Sequence, residues 1–454
     1  MKFPTTKASI FRRCKGEHAA TKGRRPAAGW LPAPKWLRTP THRRVAGAAV
    51  LAASVATGVA VFSTVGSAQA PAQYAVHASQ AAPTGLTSAT NPGAAPQLHV
   101  SGNELVNASG QQVLLHGADR SGTEYKCVQT GGIFDGPTST ASINVMKAHG
   151  INAVRVPLNE DCWEGDSYVN AAARGANYQD AVKGYVHRLN ADGMVVILDL
   201  HWTDGAYTGP ASACSSAEAT CQKPMPGMGA IPFWSSVAST FKDNDAVIFD
   251  LFNEPYPEQA DQMNYTEGWQ CWLNGGNCAG ISYPVAGMQD MVNAVRSTGA
   301  DNVLMLGGLE WSNDLDGWLA HEPNDPDHNL AASWHSYNFN ACSQESCWNS
   351  QIAPVAAKVP VIAGEIGEND CSDSYVTPLM SWLTSHDASF LAWTWNTDFN
   401  CATGPGLITS YNGAPTGFGA GVESALHDMA THALDLGHSL AGHAFAAGDS
   451  KARS

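Results

Sequence analysis

Eight short apolar runs, alternating with segments of helical spacing, predict an α/β fold: a (β/α)8 barrel of the TIM type with a short N-terminal β-hairpin. Three observations carry that prediction. The runs are continuous rather than alternating, as strands buried on both faces are. The segments between them repeat apolar residues three and four apart. No Gly-rich phosphate loop follows the first run, which argues against an open doubly wound sheet.

The chain opens on a leader. Residues 1–44 hold 12 of the 25 Lys and Arg and one acid, Glu17. Val45 to Gly66 carries no charge, and Ser67-Ala68-Gln69-Ala70 has the small-residue pattern of a cleavage site. Residues 1–70 therefore read as a secretory signal peptide with a long basic n-region. The mature chain is expected outside the cell, with no stable membrane association. An uncleaved anchor is the alternative, since the apolar run is nearly long enough to span. Residues 71–96, rich in Ala, Pro, Ser, Thr and Gln, read as a linker or N-terminal tail. The folded body is expected over 97–440 and a C-terminal tail over 441–454.

Within the body, Leu98–Val100 and Leu105–Asn107 flank Ser101-Gly102-Asn103-Glu104 and predict the hairpin. The strands follow as Val113–Ala118, Ala153–Pro157, Val195–His201, Val247–Asn253, Val303–Gly307, Ala331–His335, Val361–Glu365 and Leu391–Trp395. Helical spacing marks Ser142–His149, Gln179–Ala191, Phe233–Phe241, Val285–Ser297, Gln351–Lys358 and Val376–Ser385, with a last helix inside Gly421–Leu436. Residues 203–232 and 256–283 are left as long loops after the third and fourth strands.

Removing the leader leaves 13 basic and 39 acidic residues, a net charge of −26. Such a body repels phosphate backbones, so no nucleic-acid partner is expected and a neutral substrate suits it. Ten cysteines remain beyond Cys14, an even count that in an exported chain predicts disulfides. Sequential pairing is expected, which puts Cys214–Cys221, Cys271–Cys278 and Cys342–Cys347 across short loops; the sequence does not fix the connectivity. No CxxC pair or HExxH is present, so no metal is expected.

The strand ends carry the chemistry. In Val247-Ile248-Phe249-Asp250-Leu251-Phe252-Asn253-Glu254-Pro255 an apolar run stops at Pro255, which has no N–H for the ladder. Asn253 and Glu254 then stand at the C-terminal edge, where a parallel barrel keeps its active site. Arg155 ends the second strand, His201-Trp202 the third, His335 and Tyr337 the sixth, Glu365 the seventh, and Trp393 and Trp395 the eighth. Asp119-Arg120 and Glu310-Trp311 follow the first and fifth. Polar and aromatic groups gather on one rim.

Taken together, Asn152-Ala153-Val154-Arg155-Val156-Pro157, Asp199-Leu200-His201-Trp202, Phe252-Asn253-Glu254-Pro255, Trp334-His335-Ser336-Tyr337, Ala363-Gly364-Glu365 and Trp393-Thr394-Trp395-Asn396 give the chain a resemblance to glycoside hydrolase family 5. This family of cellulases belongs to the large clan of retaining (β/α)8 glycosidases. The resemblance spans roughly 113–396. It implies Glu254 as acid/base and Glu365 as nucleophile. It also implies Arg155, His201, Asn253, His335, Tyr337 and a Trp of the eighth strand as the surrounding shell.

Physical argument supports those roles. A retaining glycosidase needs two carboxyls about 5–5.5 Å apart, and the fourth and seventh strands face each other across a barrel. Repulsion between the two splits them into one acid and one anion. Asn253 can bond a sugar 2-OH, and a Trp face can stack on a pyranose. Trp393 and Trp395 share a strand face by parity; Trp395 is preferred as nearer the rim. Trp202, Trp234, Trp311, Trp334 and Trp348 either form outer sugar subsites or pack in the core, and Trp202 beside His201 is assigned to the site. His201 and His335 could also be core histidines, and Arg155 a structural ion pair.

The expected activity is a secreted, monomeric, retaining endo-β-1,4-glucanase acting on a β-glucan polysaccharide, with no cofactor. A β-mannanase or mixed-linkage glucanase on the same scaffold is the alternative. A sugar-binding protein without catalysis is a remote one, since fold does not dictate activity.

Overall fold

The computed structural model describes residues 94–130, 132–203 and 222–429. The expected leader, the tail from 71 to 93, the Cys214–Cys221 pair and the stretch 441–454 lie outside the described residues. Strands β1 (Leu98–Ser101) and β2 (Glu104–Asn107) pair antiparallel, with Gly102 supplying the positive φ of the turn. Eight parallel strands follow: β3 (His116–Asp119), β4 (Ala153–Asn159), β5 (Val195–Trp202), β6 (Val247–Asp250), β7 (Leu304–Gly307), β8 (Leu330–Tyr337), β9 (Val361–Gly367) and β10 (Ser389–Ala392). They close in sequence order, β10 bonding back to β3. The fold is a (β/α)8 TIM barrel with an N-terminal hairpin.

The barrel interior is stratified by strand parity, since side chains two apart share a face. Its lower layer is apolar: Ala153, Ile197, Ile248, Met305, Ala331, Ile362 and Leu391 pack together, with Leu98 and Leu105 of the hairpin beneath. Burying each of the larger members contributes roughly 1.5–3 kcal/mol. Two residues further along three of these strands stand Arg155, Asp199 and Asp250, all fully buried. The same alternation that fills the base with hydrocarbon thus delivers charge to the upper layer. A second core lies between the barrel wall and the helices, where Trp163, Trp234, Trp272, Trp318 and Trp334 are buried.

The helices bracket the expected ones within a few residues: Thr140–Ala148, Ala176–Ala191, Ala230–Phe241, Met288–Arg296 and Val376–Ser385. The expected Gln351–Lys358 helix begins earlier, as a π-turn over Trp348–Ile352 that runs into Ala353–Ala356. Residues 417–429 form the last described helix.

Three expectations need correction. The first strand starts at His116, not Val113, because the Val113 N–H bonds the Leu105 carbonyl and extends the hairpin instead. Residues 256–283 are not a plain loop: they hold helices Pro257–Ala260 and Tyr265–Asn274. Asn264 caps the second by accepting from the Glu267 N–H, and Asn-x-x-Glu was the legible signal. The body also reaches two residues before 97, since Ala95 is buried and its N–H bonds the Asn190 carbonyl.

Candidate active site

Arg155 organises the upper layer of the barrel. It is fully buried, and its guanidinium fork reaches five acceptors on four strands or their ends. Nη1 lies 3.0 Å from Asp119 and 2.8 Å from Glu365 Oε1. Nη2 lies 2.8 Å from Asn253 Oδ1 and 3.0 Å from Asp199. Nε donates to Asp250 at 3.0 Å. A planar, permanently charged fork suits this task as an ammonium would not. Burial disfavours the charge, but the surrounding carboxylates outweigh it and raise the Arg155 pKa further. Burial likewise raises Asp119 well above the usual carboxylate range and Asp250 to about 8. For Asp199 the charges of Arg155 and His201 overcome burial, and its pKa falls. The Arg155 guanidinium thus sits among four carboxyl groups, and burial pushes two of them, Asp119 and Asp250, toward the neutral form.

Glu365 reaches the site through a β-bulge. Trp334 aligns with Ala363 but His335 with Glu365, so Gly364 is the extra residue. A Cβ at Gly364 would meet Met305 Cε at 2.8 Å and His335 Nε2 at 3.1 Å. Glycine there lets the bulge turn Glu365 inward. Arg155 holds one carboxylate oxygen, and the Tyr337 hydroxyl donates to the other at 2.5 Å.

Glu254 faces Glu365 across the barrel mouth. An oxygen of each carboxylate and a ring nitrogen of His335 all lie within 4.8 Å of one another. His335 Nδ1 is 3.1 Å from Glu254 Oε1 and 3.7 Å from Glu365 Oε2. Burial pushes the His335 pKa down to about 3, so this contact is a neutral hydrogen bond rather than an ion pair. That hydrogen bonding accounts for a spacing that would also admit a cation. Desolvation raises the Glu254 pKa above the ordinary range, against the pull of a Gln222 hydrogen bond and of the His201 and Arg155 charges.

His201 bonds Asp199 at 2.7 Å. Burial opposes its charge, but the Asp199 carboxylate prevails and raises its pKa to about 8. Trp393, half-buried, stacks on the His201 ring at 5.4 Å and 13°. Trp202 stands at the end of β5, tilted against Tyr125.

The structure thus brings together Arg155, His201, Asn253, Glu254, His335, Tyr337 and Glu365. It does not bring Trp395. That residue is buried, meets His149 edge-on at 5.0 Å, and packs with Ala118, Ile151, Leu407 and Leu426 behind the barrel wall. Strand parity does not govern either tryptophan, because β10 ends at Ala392, before both, and alternation holds only inside a strand. Trp393 is the tryptophan at the site. Trp234, Trp334 and Trp348 are core residues: their indole N–H groups bond the carbonyls of Leu251, Asn313 and Cys342.

Two neighbours of these side chains were not anticipated. Gln222 donates its amide to Glu254 Oε2 at 2.8 Å. Its backbone is held by Tyr256, whose hydroxyl bonds the Gln222 carbonyl and whose N–H bonds that of Pro224 at 2.9 Å. A glutamine in a long loop carries no periodic signal. Glu124 is the other. It is buried, its pKa is raised by burial to about 7, and His201 and Asp199 lie in its field.

Disulfides brace these loops. Cys127–Cys162, Cys271–Cys278, Cys342–Cys347 and Cys371–Cys401 are all formed, as sequential pairing requires. No helix of the described residues is long and apolar enough to cross a membrane.

Comparison with known proteins agrees with this geometry. A family model described as Cellulase (glycosyl hydrolase family 5) matches residues 106–399. The chain is 22% identical over 311 residues to a mannan endo-1,4-beta-mannosidase of Streptomyces lividans, covering 67% of each. It is 26% identical over 225 residues to Endoglucanase B of Clostridium cellulovorans, covering 47% of this chain and 45% of that one. It therefore spans less than half the length of that relative. Among solved structures, a β-glucanase from Saccharophagus degradans matches with a TM-score of 0.55 at 16% identity, over 74% of this chain and 94% of that one. That protein is also known in complex with cellotetraose; at such identity the likeness is one of fold. With a family model matching most of the barrel and well over half of the chain, this protein belongs to glycosyl hydrolase family 5.

Proposed function

We propose that the chain is a secreted, retaining endo-β-1,4-glucanase, with Glu254 as acid/base and Glu365 as nucleophile. The observation that carries this reading is the approach of the two carboxylates to within 4.8 Å. Retaining glycosidases hold them about 5–5.5 Å apart, whereas inverting ones leave room for a water at about 6.5–9.5 Å. At this separation and an effective dielectric near 20, two anions repel by roughly 3 kcal/mol. One of the two therefore keeps its proton, and the raised pKa of Glu254 supports that assignment.

The steps follow from the contacts. Glu365, oriented by Arg155 and Tyr337, attacks the anomeric carbon. Glu254 gives its proton to the departing glycosidic oxygen. Glu254, now a base, takes a proton from water, which attacks the glycosyl-enzyme and frees Glu365. His335, held neutral, bonds the Glu254 carboxyl in either state. Asn253, whose amide oxygen accepts from Arg155, offers its N–H to the sugar 2-OH. Trp393 offers a flat face to the ring, and His201 and Trp202 line the adjoining wall.

Glucan is the first choice because several relatives, Endoglucanase B among them, are named endoglucanases or cellulases. A β-mannanase is the second reading, favoured by the likeness to the Streptomyces lividans mannosidase. Four disulfides among the described residues support export. The signal peptide over 1–70, a monomeric state, and freedom from membrane and nucleic acid belong to the same reading.

The test is reducing-sugar release from carboxymethylcellulose, glucomannan and mannan, beside Glu254→Gln and Glu365→Gln. Wild-type turnover of glucan with losses of several orders of magnitude in both variants is expected. Turnover of mannan alone would move the reading to a mannanase. A variant with wild-type activity would remove that residue from the mechanism.

A further inference from the structure

The turn after β7 holds backbone that L-residues seldom adopt. Glu310, Trp311 and Ser312 have φ of 51°, 59° and 61°, three consecutive non-glycine residues in the left-handed region. Such residues visit that region singly, not in runs, and runs persist only where surrounding structure imposes them. The turn is locked into the rim. The Leu309 and Asp314 backbones bond each other across it at 3.0 Å. A Cβ at Gly308 would lie 1.9 Å from the Asp314 carbonyl, so this close approach needs glycine. The Tyr265 hydroxyl bonds the Glu310 carboxylate, and Trp311 stacks on Tyr256 at 4.5 Å.

What this conformation achieves is visible in its hydrogen bonds. The Trp311 N–H donates to the Pro255 carbonyl at 2.9 Å. The Ser312 hydroxyl donates to the Asn253 carbonyl at 2.9 Å, fully buried. These carbonyls flank Glu254 on either side. The next residue, Asn313, donates its amide to the His335 carbonyl at 2.8 Å. Three consecutive residues therefore hold the backbone on both sides of Glu254 and that of the histidine bonded to its carboxyl. Space at the contact is tight: a Cβ on Gly307 would fall 2.1 Å from Ser312 Oγ and 3.3 Å from the Pro255 ring.

We infer that the left-handed turn at Glu310–Ser312 is a positioning device for Glu254, and that Ser312 is its positioning residue. The inference rests on the acid/base reading of Glu254. Left to relax, the turn would release both carbonyls, and the carboxyl would lose its line to the glycosidic oxygen. A displacement of about 1 Å at such a group costs about a hundredfold in rate.

The experiment compares two leaving groups on the sugar that the wild type cleaves. A 2,4-dinitrophenyl glycoside departs without a proton, whereas a natural oligosaccharide needs the acid. The measured quantity is kcat/KM, which reports the glycosylation step. Ser312→Ala is expected to lower kcat/KM for the oligosaccharide by about tenfold or more and to leave that for the dinitrophenyl glycoside within about twofold, the pattern of a misplaced acid. Turnover of the activated glycoside itself reports a folded enzyme. Ser312→Gly, at home in the left-handed region, loses the hydroxyl without the Cβ and should show the same split. Equal losses on both substrates, as a purely structural role would give, overturn the inference; so does full activity on both. Glu254→Gln is the reference. If it lacks the split, the acid/base reading falls; if it shows the split and the Ser312 variants do not, only the positioning role falls.

Discussion

Arg155 Nη1 lies 2.8 Å from Glu365 Oε1, with the guanidinium completely buried. The proposed nucleophile is thereby tied to the same cation that holds Asn253, next to the proposed acid. One side chain fixes both halves of the site relative to each other.

Removing that cation should be costly. Arg155→Met keeps much of the volume but leaves Asp119, Asp199, Asp250 and Glu365 around an uncompensated space. Breaking a buried ion pair from one side costs about 3–5 kcal/mol. Urea midpoints should fall accordingly at unchanged slope, and activity should be lost. Arg155→Lys should not restore it, because a point charge cannot reach five acceptors. A lysine variant of near wild-type activity would contradict this account.

His201 gives a pH dependence of stability with a definite sign. Its pKa is about 8 in the fold, above the unfolded value of about 6.5. The folded state therefore binds the proton more tightly. The stabilisation is fully present below about pH 6.5 and is lost as pH rises through about 8. His201→Asn lacks it. The gap in unfolding free energy between wild type and this variant should be widest near pH 6 and narrow steadily toward about pH 9. Urea titrations across that range check it; a gap that widened with pH would reverse the assignment.

Much of this arrangement was legible in the chain. Short apolar runs ending in Arg155, His201, Asn253-Glu254, His335 and Glu365 gave both the barrel and its rim, because strand ends are where continuous hydrophobicity stops. Tertiary facts were less accessible. Gln222 meets Glu254 only because Tyr256 fastens its segment, a contact between loops with no period in sequence. Asp250 is an acid inside an apolar run, and its role appears only when Arg155 arrives from another strand. The left-handed turn at Glu310–Ser312 contains no glycine to advertise it.

The two tryptophans that follow the eighth barrel strand differ in their surroundings. Trp393 is half-buried and stacked on His201, whereas Trp395 lies behind the wall against His149. Trp393→Ala should raise KM and lower kcat/KM by about tenfold, the value of one stacking face, with little effect on stability. Trp395→Ala should cost about 3–5 kcal/mol as a large core deletion and leave KM near that of wild type while folded. Thermal melts and initial rates at a temperature where both are folded distinguish the two. Interchanged effects would return Trp395 to the site.

Gln222 tests the acid itself. Its amide donates to Glu254 Oε2 at 2.8 Å, a bond that favours the ionised carboxylate and so works against the burial that raises the pKa. Gln222→Leu removes the donor and puts hydrocarbon in its place. Both changes favour the protonated form. If Glu254 is the acid proposed above, it must be protonated to release the leaving group, and the basic limb of kcat/KM against pH reports this ionisation in the free enzyme. That limb should move to higher pH in Gln222→Leu, while the acidic limb stays in place. The rate at the plateau should fall less than in Glu254→Gln, because the proton is still there to give. A basic limb that stayed fixed or moved downward would mean that another group sets it, and that Gln222 serves only to hold the loop.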